Sequence, residues 1–338
     1  MIALGCGGRY GGTRVDHPQP ASGGIEAAAL PYQIVDARTG KSVDEPAFWD
    51  RLAGARAVCV GEDHPNPHHH WMQLHVVREL IKRVPRGAKL ALAMEMFQRP
   101  FQGVLDDYGV RRIDGAALRS RSGYAERWGY DFTFYGPTID AAVGAGAQLL
   151  AANAAKELTK KVVHHGLDSL TPGEQAQVPE LRLDDPDHRS WFDALMEDMG
   201  GSSAHAQKLA APAEPATSGK PPHGDDDAPE MPSADRIYTV QVMWDETMAD
   251  TSAKWLAANP GGHLVLLAGN GHCHDSAIIN RMKRRGVADA VSVRGVIDDG
   301  EGSVGAALAR PINDYVVVLL MPPGVQRKDG KDGKGRKP

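Results

Sequence analysis

The chain has 338 residues, of which 42% are hydrophobic, and this is enough material for one large α/β domain or two smaller ones. The formal net charge of −5 and the pI near 6.3 argue against a general nucleic-acid-binding protein, because no basic excess is available to neutralise phosphates. No apolar run in the sequence reaches the length that spans a membrane.

Residues 1–24 predict a flexible leader, because they are rich in Gly, Pro and Ser. Cys6 follows a small residue and precedes a polar segment, as the lipid-modified cysteine of a bacterial lipoprotein does. The charged and apolar segments of such a signal do not stand before Cys6 in this sequence. Two interpretations therefore stay open: a lipid anchor at Cys6 with a signal that starts upstream of Met1, or a cysteine without that role.

The first predicted helix covers residues 42–53, where Ser42 followed three positions later by Glu45 matches a capping box. The next run, Ala57–Val60, is short, apolar and β-branched, and it predicts a buried strand. We interpret Cys59 in this strand as a small buried hydrophobic residue.

Glu62 and four histidines lie within nine residues just after this strand. Asn66 followed by Pro67 is typical of a helix N-cap with proline at the first helical position. The predicted helix carries three consecutive histidines, His68–His70, in its first turn and runs to about Val84. We expect at least one of these three histidines to be a solvated helix residue.

The rest of the chain alternates between apolar runs and amphipathic or capped segments. Strands are predicted over 32–36, 89–95, 147–152, 263–268, 290–296 and 315–321. Helices are predicted over 100–108, 138–146, 156–165, 172–178, 187–199, 234–258 and 276–285. This alternation predicts an α/β fold with a largely parallel sheet flanked by helices.

Composition places the folded domain at residues 25–322, between the leader and a tail over 323–338. Within the domain, the helices between about 155 and 235 predict a helical cap subdomain. The segment 200–233 is rich in Gly, Ser, Ala and Pro and predicts a disordered insertion. The tail also predicts disorder, because its basic residues alternate with Gly and Asp.

Polar side chains stand at the carboxyl ends of the predicted strands: Glu62 with His64, then Glu95, and His272 in a Gly-Asn-Gly-His segment. Because the ends of parallel strands meet at one edge of a sheet, we expect these four side chains to lie together. They would either hold a divalent metal such as zinc or manganese, or act as metal-free acid–base groups. In the structural alternative, the two glutamates cap the helices that follow them and His64 is an ordinary loop histidine. Asn153 ends another strand, and we interpret it as structural.

Four motifs, in this order, together resemble the ChaN-like haem-binding lipoproteins: Gly61–His70, Met94–Phe97, Trp244–Ala249 and Gly269–His272. The resemblance implies a bacterial envelope lipoprotein that takes part in haem and iron uptake, and a lipid-modified Cys6 would fit it. The family is associated with a tyrosine iron ligand and with haem held between two subunits, which implies haem as the cofactor and a homodimer. The wider superfamily is similar to Tiki-type metalloproteases and erythromycin-esterase-like hydrolases.

A porphyrin needs an apolar slot, an axial ligand such as His or Tyr, and donors for its propionates. The densest aromatic cluster of the chain lies over 128–135, and it either forms this slot or is simply core. Tyr130 and Tyr135 are the candidates for the iron ligand that the resemblance implies. The candidate haem-binding residues are His64, His69, Tyr130, Tyr135 and His272.

The first hypothesis is therefore a haem-binding protein of the bacterial cell envelope that contacts the membrane only through a lipid anchor at Cys6. The alternative is a metal-dependent hydrolase that binds a divalent metal at the strand ends and uses it to activate water. Its metal ligands and catalytic residues would be Glu62, His64, Glu95 and His272.

Overall fold

The computed structural model describes residue 25 and residues 30–198, 232–300 and 302–320. Within these ranges the chain forms an α/β structure around a seven-stranded sheet. The predicted leader, nearly all of the predicted insertion and the whole of the predicted basic tail lie outside the described residues. None of the described helices combines the length and the apolar character that crossing a membrane requires.

The sheet has the strand order β1-β7-β6-β2-β5-β3-β4. Every neighbouring pair is parallel except β1 and β7, which pair antiparallel at one edge. The predicted α/β class with a largely parallel sheet is confirmed. The strands are β1 (Tyr32–Asp36), β2 (Ala57–Glu62), β3 (Leu90–Gln98), β4 (Gln148–Asn153), β5 (His263–Gly269), β6 (Ala290–Asp298) and β7 (Tyr315–Leu320).

Helices cover both faces of this sheet. The helices are α1 (Glu45–Gly54), α2 (Pro67–Arg83), α3 (Gln102–Gly109), α4 (Gly115–Arg121), α5 (Tyr124–Arg127), α6 (Gly136–Gly144), α7 (Lys156–His165), α8 (Pro172–Gln175), α9 (Pro186–Asp198), α10 (Ala234–Ala258), α11 (Asn280–Arg284) and α12 (Ser303–Ala309). Short 3₁₀ turns at Arg99–Phe101, Phe132–Phe134 and Leu167–Ser169 and a π turn at Asp275–Ile279 link some of them.

The core has two layers because successive residues of a strand point to opposite faces of the sheet. Val58 and Val60 of β2 pack on one face with residues of α1 and α2, such as Leu74. Cys59 packs on the other face with residues of α10, such as Met248. Burial on both faces accounts for strands that are continuously apolar rather than alternating.

The helices between 156 and 198 build an apolar cluster of their own with the N-terminal half of α10. Val162 of α7, Phe192 of α9 and Tyr238 of α10 are buried in it. These helices stand beside the carboxyl end of the sheet, where α9 contacts the π turn at Asp275–Ile279.

The capping box at the first helix was a wrong prediction. The α1 helix begins at Glu45, and its N-cap residue Asp44 makes no capping hydrogen bond with its side chain. Ser42 instead lies in an isolated β-bridge with Val35. The backbone at Ser42 therefore pairs with β1 at the sheet edge, and Ser42 lies too far before Glu45 to cap the helix. The α12 helix at Ser303–Ala309 was not predicted.

Cys59 is not merely a small buried hydrophobic residue, because it forms a disulfide with Cys273. The two Cα atoms are 5.4 Å apart although the residues are separated by 214 positions in the chain. Cys59 lies on β2, and Cys273 follows the end of the neighbouring strand β5, so the sheet brings them together. Both side chains are fully buried.

Candidate functional site

The candidate site begins where β2 ends at Glu62 and the chain turns into α2. The side chain of Asn66 accepts hydrogen bonds from the backbone N–H groups of His68 and His69, which confirms the predicted N-cap. All three histidines of the first turn are buried, with His68, His69 and His70 only 3%, 2% and 0% exposed. The expectation of a solvated histidine is therefore wrong, because this turn faces the strand ends and not the solvent.

Glu62 is the buried acceptor on which this part of the site converges. Its Oε1 accepts a hydrogen bond from the Tyr135 hydroxyl at 2.7 Å. The same oxygen lies 2.7 Å from Nδ1 of His64, and Oε2 lies 3.3 Å from Nδ1 of His70. Burial alone would raise the pKa of the carboxyl, but the charge of His70 and the hydrogen bond from His64 outweigh it and hold the pKa below its usual range. Glu62 is thus an ionised carboxylate.

His64 connects Glu62 to the aromatic side of the site. Its ring centroid lies 4.6 Å from that of Trp128 and 4.9 Å from that of Tyr130. Burial alone would lower the pKa of His64, but the hydrogen bond with Glu62 and the nearby carboxylates raise it. Its Nε2 atom is buried and makes no hydrogen bond within the described part of the chain.

Glu95, on β3, lies near both His64 and His272. Its Oε2 accepts a hydrogen bond from the Gly269 N–H at 2.7 Å, and its Oε1 lies 3.4 Å from Nε2 of His272. A Cβ built on Gly269 would lie 3.2 Å from Cε1 of His64 and 3.7 Å from Oε2 of Glu95. Both side chains therefore pack against Gly269. The structure therefore brings together all four residues that the strand ends predicted.

The site continues beyond these four residues through two side chains that sequence reasoning missed. Nδ1 of His272 lies 2.6 Å from Oδ1 of Asp245 on α10. The other oxygen of Asp245 lies 3.1 Å from Nε2 of His188 on α9. Asp245 belongs to one of the four motifs quoted above, which was the available signal, whereas nothing in the sequence around His188 marks it.

Burial and neighbouring charges shift the pKa values of His272, Asp245 and His274. Burial alone would lower the pKa of His272, but the charges of Glu95 and Asp245 outweigh it and raise the pKa. The carboxyl of Asp245 has a lowered pKa, because its imidazole partners outweigh the effect of burial. His274, also fully buried, has a pKa well below its usual range because of burial and the neighbouring His188.

Two of the predicted haem-binding residues, His69 and Tyr135, make hydrogen bonds within the protein. Nδ1 of His69 accepts a hydrogen bond from the backbone N–H of Asp63 at 2.9 Å, and the ring packs against Gly295 of β6. Tyr135 is 1% exposed and its hydroxyl is bonded to Glu62, so it supports the carboxylate from inside the core. Asn153 donates to the backbone carbonyl of Glu95 at 3.0 Å, in agreement with a structural role.

The aromatic cluster is partly core and partly surface, so neither alternative holds for all of it. Trp128 and Tyr135 are buried in the apolar core. Tyr130, Phe132 and Phe134 are only half-buried. The ring of Phe134 stacks on His70 with centroids 4.7 Å apart, and Tyr130 lies 5.5 Å from Trp128. Tyr130 and Phe134 therefore bring half-buried aromatic rings into contact with the site histidines His64 and His70.

Close packing at the strand ends explains Gly61. A Cβ at this position would lie 2.3 Å from Oδ1 of Asn270, which no side chain can tolerate without movement. The backbone N–H of Asn270 donates to the carbonyl of Glu62 at 2.8 Å, and its side chain donates to Asp63 at 2.9 Å. Glycine at 61 thus lets the loop after β5 dock against the end of β2.

No group of three or more His, Cys, Asp or Glu side chains among the described residues has an arrangement that holds a metal ion. The zinc or manganese site over Glu62, His64, Glu95 and His272 therefore stays a prediction. The observed arrangement is instead two imidazoles, each hydrogen-bonded at Nδ1 to a carboxylate, with Glu95 between them.

Comparison with known proteins agrees with the four motifs. Residues 48–282 match the family model described as "Haem-binding uptake, Tiki superfamily, ChaN". A solved structure described as cofacial haem binding to ChaN of Campylobacter jejuni superposes with a TM-score of 0.60 at 16% identity. The match covers 85% of this chain and 96% of that one, and it shows a shared fold.

Two further matches are weaker, one because it covers a small part of the other protein and one because its TM-score is low. The chain is 26% identical over 234 residues to the chloroplastic protein RETICULATA-RELATED 5 of Arabidopsis thaliana, which covers 68% of this chain. It spans only 29% of the length of that protein. A variant of an erythromycin esterase in its open conformation matches with a TM-score of 0.42 at 15% identity, covering 86% of this chain and 83% of that one. That score is too low to establish a shared fold.

Proposed function

The chain belongs to the ChaN-type family of haem-binding uptake proteins in the Tiki superfamily, and we propose that it binds haem with Tyr130 as the iron ligand. In this proposal the protein receives or holds haem during iron uptake. The observation that carries it is that the half-buried Tyr130 contacts the buried site, with its ring centroid 4.9 Å from that of His64.

The half-buried aromatic residues of the 128–135 cluster fit the needs of a haem. Tyr130 is half-buried, and its hydroxyl forms no hydrogen bond with any described residue, in contrast to the hydroxyl of Tyr135. Phe132 and Phe134 are also half-buried and offer apolar surface to a porphyrin. When bound, haem would supply a ferric iron that a phenolate oxygen can ligate.

The protonation of Tyr130 bears on how the iron would be held. Burial and the charges of Glu95 and Glu62 raise the pKa of its hydroxyl, so the phenol keeps its proton in the free protein. Ligation requires the phenolate, and the proton must leave on binding. The neighbouring carboxylates and imidazoles would tune the basicity of the ligand through the surrounding field.

Titration of the purified protein with hemin, followed by the Soret band, tests this proposal. The wild type should show a saturable shift, and Y130F should lose at least about tenfold in haem affinity. Y108F is the matched control, because Tyr108 is also half-buried but bonds to Asp140 away from the site. A saturable shift that is unchanged in Y130F but lost in Y135F would assign the iron to the other tyrosine.

We also propose a location in the bacterial envelope, with a lipid anchor at Cys6. Two features support it: the lipoprotein-like surroundings of Cys6 in the sequence, and the buried disulfide between Cys59 and Cys273. Disulfides persist in oxidising compartments such as the periplasm and are rare in the cytosol. Mass spectrometry of protein extracted from membranes tests the anchor, since an unmodified N-terminus on soluble protein would contradict it.

A homodimer that encloses haem between its subunits is a further part of the proposal. It is supported by the cofacial haem binding described for the Campylobacter jejuni relative. Sedimentation of the protein with and without hemin tests it. A monomer that binds haem without change in mass would contradict the shared site while leaving haem binding intact.

Metal-dependent hydrolysis is the second candidate. It is favoured by two imidazoles that are each hydrogen-bonded to a carboxylate: His64 to Glu62, and His272 to Asp245. Such pairs are suited to acid–base chemistry. Elemental analysis of protein purified without added metal discriminates between the two candidates. Stoichiometric zinc or manganese that is lost in H272Q would favour the hydrolase.

A further inference from the structure

His272 is held from the side opposite Glu95. Its Nδ1 lies 2.6 Å from Oδ1 of Asp245, and both side chains are fully buried. An ionised carboxylate only accepts hydrogen bonds, so the hydrogen of this contact sits on Nδ1 of His272. The Nε2 atom then points to Oε1 of Glu95, 3.4 Å away, and has no hydrogen bond to the described residues.

Asp245 is in turn held by His188, and the tautomer of that histidine is fixed by its surroundings. Nη2 of Arg281 lies 3.3 Å from Nδ1 of His188. A guanidinium can only donate, so Nδ1 of His188 is an acceptor and the ring hydrogen sits on Nε2. That atom lies 3.1 Å from Oδ2 of Asp245. Oδ1 of Asp245 is therefore hydrogen-bonded to His272, and Oδ2 is in ion-pair contact with His188.

We propose that Asp245 and His188 are positioning residues of the candidate site, which fix the tautomer and the ring plane of His272 and aim its Nε2 at Glu95. The inference rests on the proposed function for its purpose, because a ligand at the site is what the positioned imidazole would serve. The assignment of the His272 tautomer rests only on the contacts of Asp245, His188 and Arg281. The chain of contacts runs from α9 through α10 and the loop after β5 to β3.

Asparagine at position 245 is the decisive substitution. An amide has one acceptor oxygen and one donor nitrogen, so it cannot present an acceptor to both imidazoles. The Arg281 guanidinium, which only donates, favours the present tautomer of His188, and the Tyr238 hydroxyl 3.2 Å from the same Nδ1 can donate to it as well. The amide nitrogen of D245N must therefore face His272 and force the hydrogen from Nδ1 to Nε2, the wrong-tautomer effect that the same exchange has in a Ser-His-Asp triad.

Nitrogen-15 NMR of histidine-labelled protein reads the tautomer directly when the spectrum is recorded above the raised pKa of His272, where the ring is neutral. The His272 ring is assigned from the signals that H272Q removes. We expect Nδ1 of His272 to carry hydrogen in the wild type and to lose it in D245N. D250N is the matched control on the same helix, since Asp250 pairs with Arg99 and Lys254 instead. An Nδ1 without hydrogen in the wild type, or an unchanged spectrum in folded D245N, would overturn the inference.

Haem titration adds a functional measurement. D245N should bind hemin at least about tenfold more weakly than the wild type, because Asp245 orients His272, one of the candidate haem-binding residues, whereas D250N should bind it equally well. Unchanged affinity in a D245N protein with the altered tautomer would refute a role in haem binding. A wild type that binds no hemin refutes the proposed function instead, while the NMR result still decides the positioning of His272. If D245N does not fold, the wild-type spectrum alone gives that decision.

Discussion

Reduction of the disulfide between Cys59 and Cys273 should lower the free energy of unfolding by about 2 to 5 kcal/mol. The closed loop is long, because the two residues are 214 positions apart. In the chain-entropy model a loop of this length restricts the unfolded state by about 5 kcal/mol, and measured disulfides commonly deliver about 2 to 4 kcal/mol. Reduction leaves both sulfur atoms in the core, so no cavity cost is added.

The reduced protein should keep its fold, because other contacts hold the loop that follows β5. The Asn270 N–H donates to the carbonyl of Glu62 at 2.8 Å. The Gly269 N–H donates to Glu95, and the side chain of Asn313 donates to the carbonyl of Cys273 at 2.6 Å. The stability difference between the two forms is therefore measurable as an equilibrium quantity.

Urea unfolding of the oxidised and fully reduced protein, monitored by tryptophan fluorescence, measures this difference. A C6S background leaves only the two cysteines of the disulfide, and the C59A–C273A variant serves as the control that must not respond to reductant. Unfolding free energies should be compared rather than midpoints alone, since a disulfide also compacts the unfolded state and lowers the m-value. Equal stabilities, or two free thiols in the unreduced denatured protein, would refute the reasoning.

Two further predictions concern stability. G61A should cost about 1 to 3 kcal/mol in thermal denaturation, because its methyl group would lie 2.3 Å from Oδ1 of Asn270, whereas G54A has no atom within 4 Å of its Cβ and should change stability far less. The melting temperature should be highest near pH 6.5. The raised pKa of His272 adds stability below 6.5 that is lost as the pH rises, and the lowered pKa of His274 removes stability as the pH falls below 6.5. A melting temperature that does not fall on both sides would contradict these shifts.

The parts of the fold that the sequence predicted well are those with strong local signals. The helices at 156–165 and 234–258 occur within the predicted bounds, and the N-cap at Asn66 forms as expected. The convergence of Glu62 and His272 also followed from the sequence, because parallel strands carry their carboxyl ends to one edge whatever their order. Strand order itself had no local signal and was not predicted.

The parts that could not be predicted depend on contacts between distant segments. The disulfide partner of Cys59 lies on a loop far along the chain, and a single apolar strand gives no sign of it. The burial of His68–His70 depends on the packing of α2 against the strand ends, while the residues themselves are polar. His188 belongs to a helix outside the sheet, so only the tertiary fold places it beside Asp245.

The substitution E62Q tests whether the buried groups of the site are charged. Glu62 is surrounded by His64, His70 and the Tyr135 hydroxyl, all fully or almost fully buried. If the imidazoles are cationic, removal of the carboxylate leaves buried charge uncompensated and should cost about 3 to 5 kcal/mol.

Y135F is the matched control, because it removes one hydrogen bond to the same oxygen and should cost only about 1.5 to 3 kcal/mol. Urea unfolding at neutral pH compares the two variants. A value for E62Q no larger than that for Y135F would mean that the imidazoles around Glu62 are neutral in the folded protein. The raised pKa of His64, and with it a charged pair between His64 and Glu62, would then be wrong.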